Sequence, residues 1–412
     1  MQMANPSLPF AQRDNICYNY QCFNERFHFM IKRELSFYIE KAAKCYGVVT
    51  IMGPRQSGKT TLVKALFPKH EYRNLEAEDV LMAAQNDPRA FLSNGEKPMI
   101  IDEVQRFPAL LTYIQEIVDA KKAKGQFILT GSYQPELGAA ISESLAGRTA
   151  VCELMPLSLT ELKEAGIDVT NRDECIWRGF MPRHFDDALE PTMLYHDYFQ
   201  TYVQRDVRKM LNIQDLGTFT VFMRLLAGRV GQLLNKESLA RDVGISVPTV
   251  VKWLNVLEAS YIIYRLRPYH SNFGKRQIKA QKIYFTETGL AAYLIGIREK
   301  SQLFTHPLIG GLFENMIVME AVKQCMNRGE EPDLWFYRNS SGSIEVDLLF
   351  EKVDALHPIE IKSASTYSDR MTAKLKAFGN MTSKVLSPVV VYAGKTFDNL
   401  AVNYADVAKW WV

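Results

Sequence analysis

No stretch of this 412-residue chain approaches the roughly 18 consecutive apolar residues that a membrane-spanning helix needs. Cysteine is scarce. The six cysteines show neither metal-ligand nor redox spacing, which excludes a sequence-encoded metal knuckle and points to free thiols in a reducing cytoplasm. Charge of one sign is also lacking: the net charge is +3, so any nucleic-acid surface must be a local patch. Repeats and low-complexity tracts are absent. The amino end has neither the charged start nor the long apolar core of a signal peptide. Residues 1–29 show no sustained period, and the helical pattern "MIKRELSFYIEKAAKC" sets in at Met30, which reads as a dispensable extension or a misplaced start.

The composition that remains is that of an ordinary globular protein, 47% apolar and 23% charged, long enough for two or three domains. The strongest local signal is "IMGPRQSGKTTLVKAL". Gly53, Gly58, Lys59 and Thr60 fit G-x-x-x-x-G-K-[ST]. The β-branched run "GVVTIM" before it reads as a buried strand, and "KTTLVKAL" after it as a helix, which is the context the motif demands. The residues Gly53, Pro54, Arg55, Gln56, Ser57, Gly58, Lys59, Thr60 and Thr61 form the expected ATP cradle, all but proline offering a backbone N–H. Lys59 reaches the β- and γ-phosphates, and Thr60 ligates Mg²⁺.

"KPMIIDEV" reads as a strand ending in two carboxylates. Asp102 is placed to hold the Mg²⁺ shell and Glu103 to polarise the attacking water. "QFILTGSY" is a further strand. Thr130 or Ser132 at its end can bond that water or the γ-phosphate, or can serve turn chemistry instead. Arg205, in "YFQTYVQRDVRKML", is placed for a phosphate contact within the same chain or for an ion pair along its helix.

A different grammar begins near residue 216. "KESLARDV" and "VPTVVKWLNVLE" read as two short helices turning at Gly244, followed by the strand-like "YIIYRLRPY". This is a helix-turn-helix with a wing. Ser246, Thr249, Val250 and Lys252 are expected on the outer face of the second helix. From Arg265 to Lys282 there are six Lys or Arg and no acid, which suits a phosphate backbone through Arg265, Arg267, Lys275 and Arg276. A protein-docking role stays open.

The carboxyl-terminal part offers Glu314 on a helix, Asp347 in the strand "IEVDLLFE", and Glu360 and Lys362 on one face of "HPIEIKSAS". Acids on helix and strands with a lysine two residues beyond the last one are a metal-nuclease constellation. Glu314, Asp347 and Glu360 would hold Mg²⁺ or Mn²⁺, and Lys362 would sit beside the water. The alternative is a lysine–carboxylate network that only stabilises the sheet.

Taken together, "IKREL", "GPRQSGKTTL", "IIDEVQRFPALL", "LTGS", "SLAGR", "PLSLTEL", "TETGLAAYLIG", "GGLFEN", "EVDLL" and "IEIKS" resemble the bacterial and archaeal AAA+ ATP-binding proteins whose carboxyl-terminal domain of unknown function is related to PD-(D/E)XK nucleases. The resemblance implies an α/β multidomain chain. After the extension 1–29 it places an AAA+ three-layer α/β core at 30–165 and a helical lid or linker at 166–215. A winged helix-turn-helix at 216–285 and an α/β restriction-endonuclease-like domain at 286–412 follow. It also implies ATP and Mg²⁺ use, and it casts Arg148, just before the last core strand, as a residue that reaches a neighbouring subunit's nucleotide in a homo-oligomer. Val346 stands where active nucleases often carry proline. The leading expectation is an ATPase coupled to a DNA-directed module. The alternative is a nucleotide-switched DNA-binding regulator or a docking scaffold that cuts nothing.

Overall fold

The structure is a computed structural model that describes residues 30–93, 97–132, 135–186, 189–207, 215–269, 280–352, 355–382, 384–397 and 400–410. Residues 1–29 lie outside the described residues, as do Lys275 and Arg276 of the expected wing.

Five short strands build the first sheet: β1 (Val48–Met52), β2 (Glu71–Asn74), β3 (Met99–Asp102), β4 (Phe127–Gly131) and β5 (Thr149–Glu153). Their order is β2-β3-β4-β1-β5 and every pair is parallel. β1, β3 and β4 are buried throughout, as strands covered on both faces must be. The alternation of the pleat divides their side chains between two layers. Val49, Ile51, Ile100 and Ile128 pack with the helices Ser36–Cys45 and Lys59–Leu66, while Met52, Met99, Ile101 and Leu129 pack with the helix Leu110–Lys121. The result is a three-layer α/β core in which the carboxyl ends of β1, β3 and β4 lie side by side. Open α/β sheets bind their ligands at such an edge.

The second half begins with the helices Leu216–Ala227, Lys236–Val243 and Val247–Ala259. Gly244 takes the left-handed conformation (φ +81°) that the turn between the last two requires. Strands β6 (Ile263–Pro268) and β7 (Lys282–Phe285) then pair antiparallel. They do not stand apart as a free wing. β6 also pairs, in parallel, with β8 (Leu334–Arg338), through Arg267–Trp335 and Pro268–Phe336. The sheet continues with β9 (Glu345–Lys352), β10 (Ala355–Lys362), β11 (Val385–Leu386), β12 (Val389–Tyr392) and β13 (Ala401–Asn403). Its order is β13-β12-β10-β9-β8-β6-β7, with β11 alongside β10, so one sheet runs across residue 285. The 19-residue helix Ile309–Asn327 is buried along most of its length. It shares one core with Met155, Leu157, Leu159 and Leu162 of the amino-terminal half and with residues of β6 to β10, β12 and β13. Among the described residues no helix is long and apolar enough to cross a membrane.

Candidate functional site

The loop after β1 forms as its glycines allow. Gly53 (φ +148°) and Gly58 (φ +91°) occupy backbone space closed to most side chains, and a Cβ on Gly53 would lie 2.3 Å from the Leu154 carbonyl oxygen. Gln56, at φ +64°, shares that geometry without being glycine. Lys59 is buried at the start of its helix and donates to the carbonyls of Gly53 (3.0 Å) and Pro54 (2.7 Å). Burial pulls its ammonium down to about 8, with Glu103 and Asp102 opposing that trend.

Asp102, buried at the end of β3, accepts hydroxyl hydrogen bonds from Thr60 (2.8 Å) and Tyr72 (2.7 Å) and from Thr130. Thr130 is therefore turned to the carboxylate rather than to open space. The Ser132 hydroxyl is buried with no hydrogen-bond partner among the described residues. Glu103 follows in the left-handed region (φ +57°), which turns its side chain away from the strand direction, and Gln105 donates to it. Arg55, Gln56, Gly58, Lys59, Thr60, Thr61 and Glu103 line a cavity of about 300 Å³ with Thr201 and Tyr202 from the helical segment Phe199–Val207. The Arg55 guanidinium lies 5.5 Å from the centre of the Tyr202 ring. Thr60 lines this cavity and Asp102 lies behind it, 2.8 Å from the Thr60 hydroxyl; their oxygens are a hard donor pair that fits a Mg²⁺ ion keeping most of its waters.

Two supports went unread in the sequence. Arg33 of "IKREL", buried three residues ahead of the helix Ser36–Cys45, donates to Ser57 O (2.8 Å), Met155 O (2.6 Å) and Glu161 Oε1 (2.9 Å), and so braces the loop from behind. Tyr202 was hidden in a helix read only for its arginine; its hydroxyl donates to Ser260 O at 3.2 Å. The Arg205 side chain lies outside the described residues.

Other expected residues are engaged elsewhere. Arg148 makes a two-pronged pair with Asp119 of its own chain (2.6 and 2.8 Å). Val250 is fully buried, a correction to its expected outward face: it lies on the apolar stripe with Trp253, Leu254 and Leu257. Ser246 caps that helix, accepting from Thr249 N (3.2 Å) with the two hydroxyls 2.8 Å apart, so both polar side chains already serve the helix end. Arg265 is paired to Glu258. Lys252 and Arg267 are exposed.

In the carboxyl-terminal part, Glu360 and Lys362 share a face of β10 as expected, joined by an ion pair. The expected metal shell finds no support in the arrangement. Among the described residues no three His, Cys, Asp or Glu side chains are placed to hold a metal ion. Lys282, counted in sequence among the wing's basic residues, is buried instead among the acids. Its ammonium lies 2.9 Å from Glu314, 2.7 Å from Glu345 and 3.6 Å from Asp347. Tyr284 donates to the same Glu314 oxygen at 2.6 Å. Lys362 lies 3.7 Å from Asp347, Lys374 3.6 Å from Glu360 and Arg338 3.8 Å from Glu345. Burial, with Asp347 close by, pushes the Glu314 carboxyl up to about 7. Burial works against the Lys282 charge, yet Glu314, Asp347 and Glu345 together hold it above the ordinary lysine value.

Comparison with known proteins gives three family matches along the chain. Residues 46–163 match the family "AAA domain", residues 169–301 "Domain of unknown function (DUF8612)" and residues 309–408 "Domain of unknown function (DUF4143)". The uncharacterized protein Rv2008c of Mycobacterium tuberculosis is 30% identical over 369 residues, 88% of this chain and 80% of that one. An uncharacterized protein of Haemophilus influenzae is 23% identical over 88% of this chain and 94% of its own length. Among solved structures, the Walker-type ATPase PABY2304 of Pyrococcus abyssi superposes with a TM-score of 0.41 at 17% identity, covering 64% of this chain and 96% of that one. The chain thus belongs to the same family as the mycobacterial protein, and its residues 46–163 are a P-loop AAA-type ATPase domain.

Proposed function

We propose that the chain is a Mg²⁺-dependent ATPase whose nucleotide state sets the posture of a winged-helix and nuclease-like unit that contacts DNA. One observation carries this reading: a buried polar chain runs from the phosphate loop to the carboxyl-terminal helix. Arg33 links Ser57 O to Glu161. Glu161 caps the helix Leu159–Glu164 reciprocally with Ser158, whose hydroxyl donates to Glu34 at 2.9 Å. Glu34 in turn accepts from Gln324 (3.1 Å) and Asn327 (2.9 Å) of the helix Ile309–Asn327. On the same helix Lys323 donates to Leu157 O at 2.8 Å, and Glu320 accepts from Leu159 N at 2.9 Å. A shift of the loop backbone on phosphate binding is felt along this chain because its members, Glu34 apart, are buried and have little water to fall back on.

In the ATPase step the loop N–H groups cradle the phosphates, and the Lys59 ammonium leaves its two carbonyls for them. The metal, when bound, would supply charge neutralisation between the phosphates, with Thr60 and Asp102 as its protein ligands. Glu103 polarises the attacking water, and the buried Ser132 hydroxyl offers a free hydrogen bond to a phosphate oxygen. Lys252 and Arg267 supply exposed cations for the DNA backbone. For the carboxyl-terminal part, recognition without cleavage is the reading that the paired state of its acids supports.

The test is DNA affinity measured in the ADP state and with a non-hydrolysable ATP analogue, for duplex, single-stranded and branched forms. Affinity should differ several-fold between the two states, and the difference should vanish in Lys59→Ala. Equal affinity in both states removes the coupling. No binding of any form leaves the protein-docking alternative.

A further inference from the structure

The resemblance to metal nucleases implies a divalent ion at the carboxyl-terminal acids, and the residues present do not fit one. We propose that Lys282 is the resident cation of this cluster: its ammonium takes the place of a divalent metal among Glu314, Glu345 and Asp347, and the domain binds no divalent ion there.

The geometry carries the assignment. The two short contacts, 2.7 and 2.9 Å, are ammonium–carboxylate hydrogen-bond lengths, and Asp347 at 3.6 Å completes a three-sided acceptor set for a group with three donors. A divalent ion draws carboxylate oxygens to about 2.0–2.6 Å, so it cannot share this space with the ammonium. Nor is Lys282 a passing visitor. Its backbone is fixed opposite Leu266 in the β6–β7 pair and bridges Leu233 on its other side. Its residue is only 2% exposed, so swinging the side chain out means opening the packing around it.

Charge balance agrees. The four acids Glu314, Glu345, Asp347 and Glu360 face four cations, Lys282, Arg338, Lys362 and Lys374, within 4 Å. A divalent ion entering with Lys282 in place would add two uncompensated charges to a largely buried site, which is costly. The lysine also ties three elements that a metal would otherwise tie: β7, β9 and the helix Ile309–Asn327. The inference goes beyond the nucleotide cycle and stands or falls without it.

The experiment is Mn²⁺ binding to the nucleotide-free full chain, followed by electron paramagnetic resonance, for wild type, Asp347→Asn, Lys282→Met and the double variant. Wild type and Asp347→Asn should give superimposable Mn²⁺ isotherms. Lys282→Met, which keeps the unbranched stem but ends one atom short of the ammonium and removes its charge, should gain a stoichiometric Mn²⁺ site that the double variant lacks. Wild-type Mn²⁺ binding that Asp347→Asn abolishes overturns the proposal, because Lys282 then yields to metal. A folded Lys282→Met chain that gains no site overturns it as well. If Lys282→Met does not fold, the wild-type and Asp347→Asn pair alone decides.

Discussion

Lys59 shows how much chemistry one residue can carry. Its ammonium is buried against two carbonyls, and burial pulls it down to about 8, so near that pH about half of the nucleotide-free molecules hold a neutral amine. A phosphate anion favours the charged form and raises that value. ATP binding near pH 8 should therefore take up protons, and the uptake should fade as pH drops below 7, where the free lysine is already charged. Calorimetry in buffers of different ionisation heat reads this directly; proton release at pH 8 contradicts it. Lys59→Ala should lose tight ATP binding. Glu103→Gln should bind ATP normally and turn over about 10²–10⁴-fold slower, the usual contribution of a general base, and wild-type turnover in that variant removes the assignment. These residues were legible in sequence because their signal is local: a glycine spacing between a strand and a helix, and acids at a strand end. Lys282 and Arg33 were not, because nothing near them in sequence names their partners. The Arg33 partner Glu161 is 128 positions away. A basic run gives no sign that one of its members points inward.

At the scale of elements, β1, β3 and β4 of the ATPase sheet were readable from apolar runs, and so were the two helices around Gly244; the polar strand β2, EYRN, was not. The pairing of β6 with β8 was not. A parallel partner is chosen by long-range packing rather than by turn chemistry, and the hairpin read as a self-contained wing. The buried pair of Arg33 and Glu161 belongs to this scale, since it joins the segment ahead of the first helix to the capped helix Leu159–Glu164. Both side chains are shielded, at 6% and 0% exposure. Removing one partner strands the other charge away from water, which costs about 3–5 kcal/mol. Arg33→Ala should lower the urea midpoint accordingly and weaken ATP binding through the loosened loop. A change of under ~1 kcal/mol would assign the pair to the weak class of exposed bridges.

The whole molecule does not divide where its sequence motifs do. Met155, Leu157, Leu159 and Leu162, at the end of the ATPase domain, are buried in the core that the helix Ile309–Asn327 completes. A chain ended near residue 305 would expose that apolar face together with the backbone of Leu157 and Leu159, which Lys323 and Glu320 now satisfy. Such a truncation should aggregate or bind a hydrophobic dye strongly, although every ATP-site motif is intact. A soluble, cooperatively unfolding and ATP-hydrolysing fragment would show that the ATPase half is autonomous after all.

The join between β6 and β8 has a mechanical meaning. The helix Val247–Ala259 hands the chain directly to β6, and β6 is laced to β7 on one side and β8 on the other. A pull on that helix is not absorbed by a swinging tether. It arrives as shear across a hydrogen-bonded ladder, with the Lys282 ammonium clamped at the far strand. Any partner grasped by the helix is thus held at the rim of a stiff plate, and a turn of the plate moves helix and acidic cluster through the same angle.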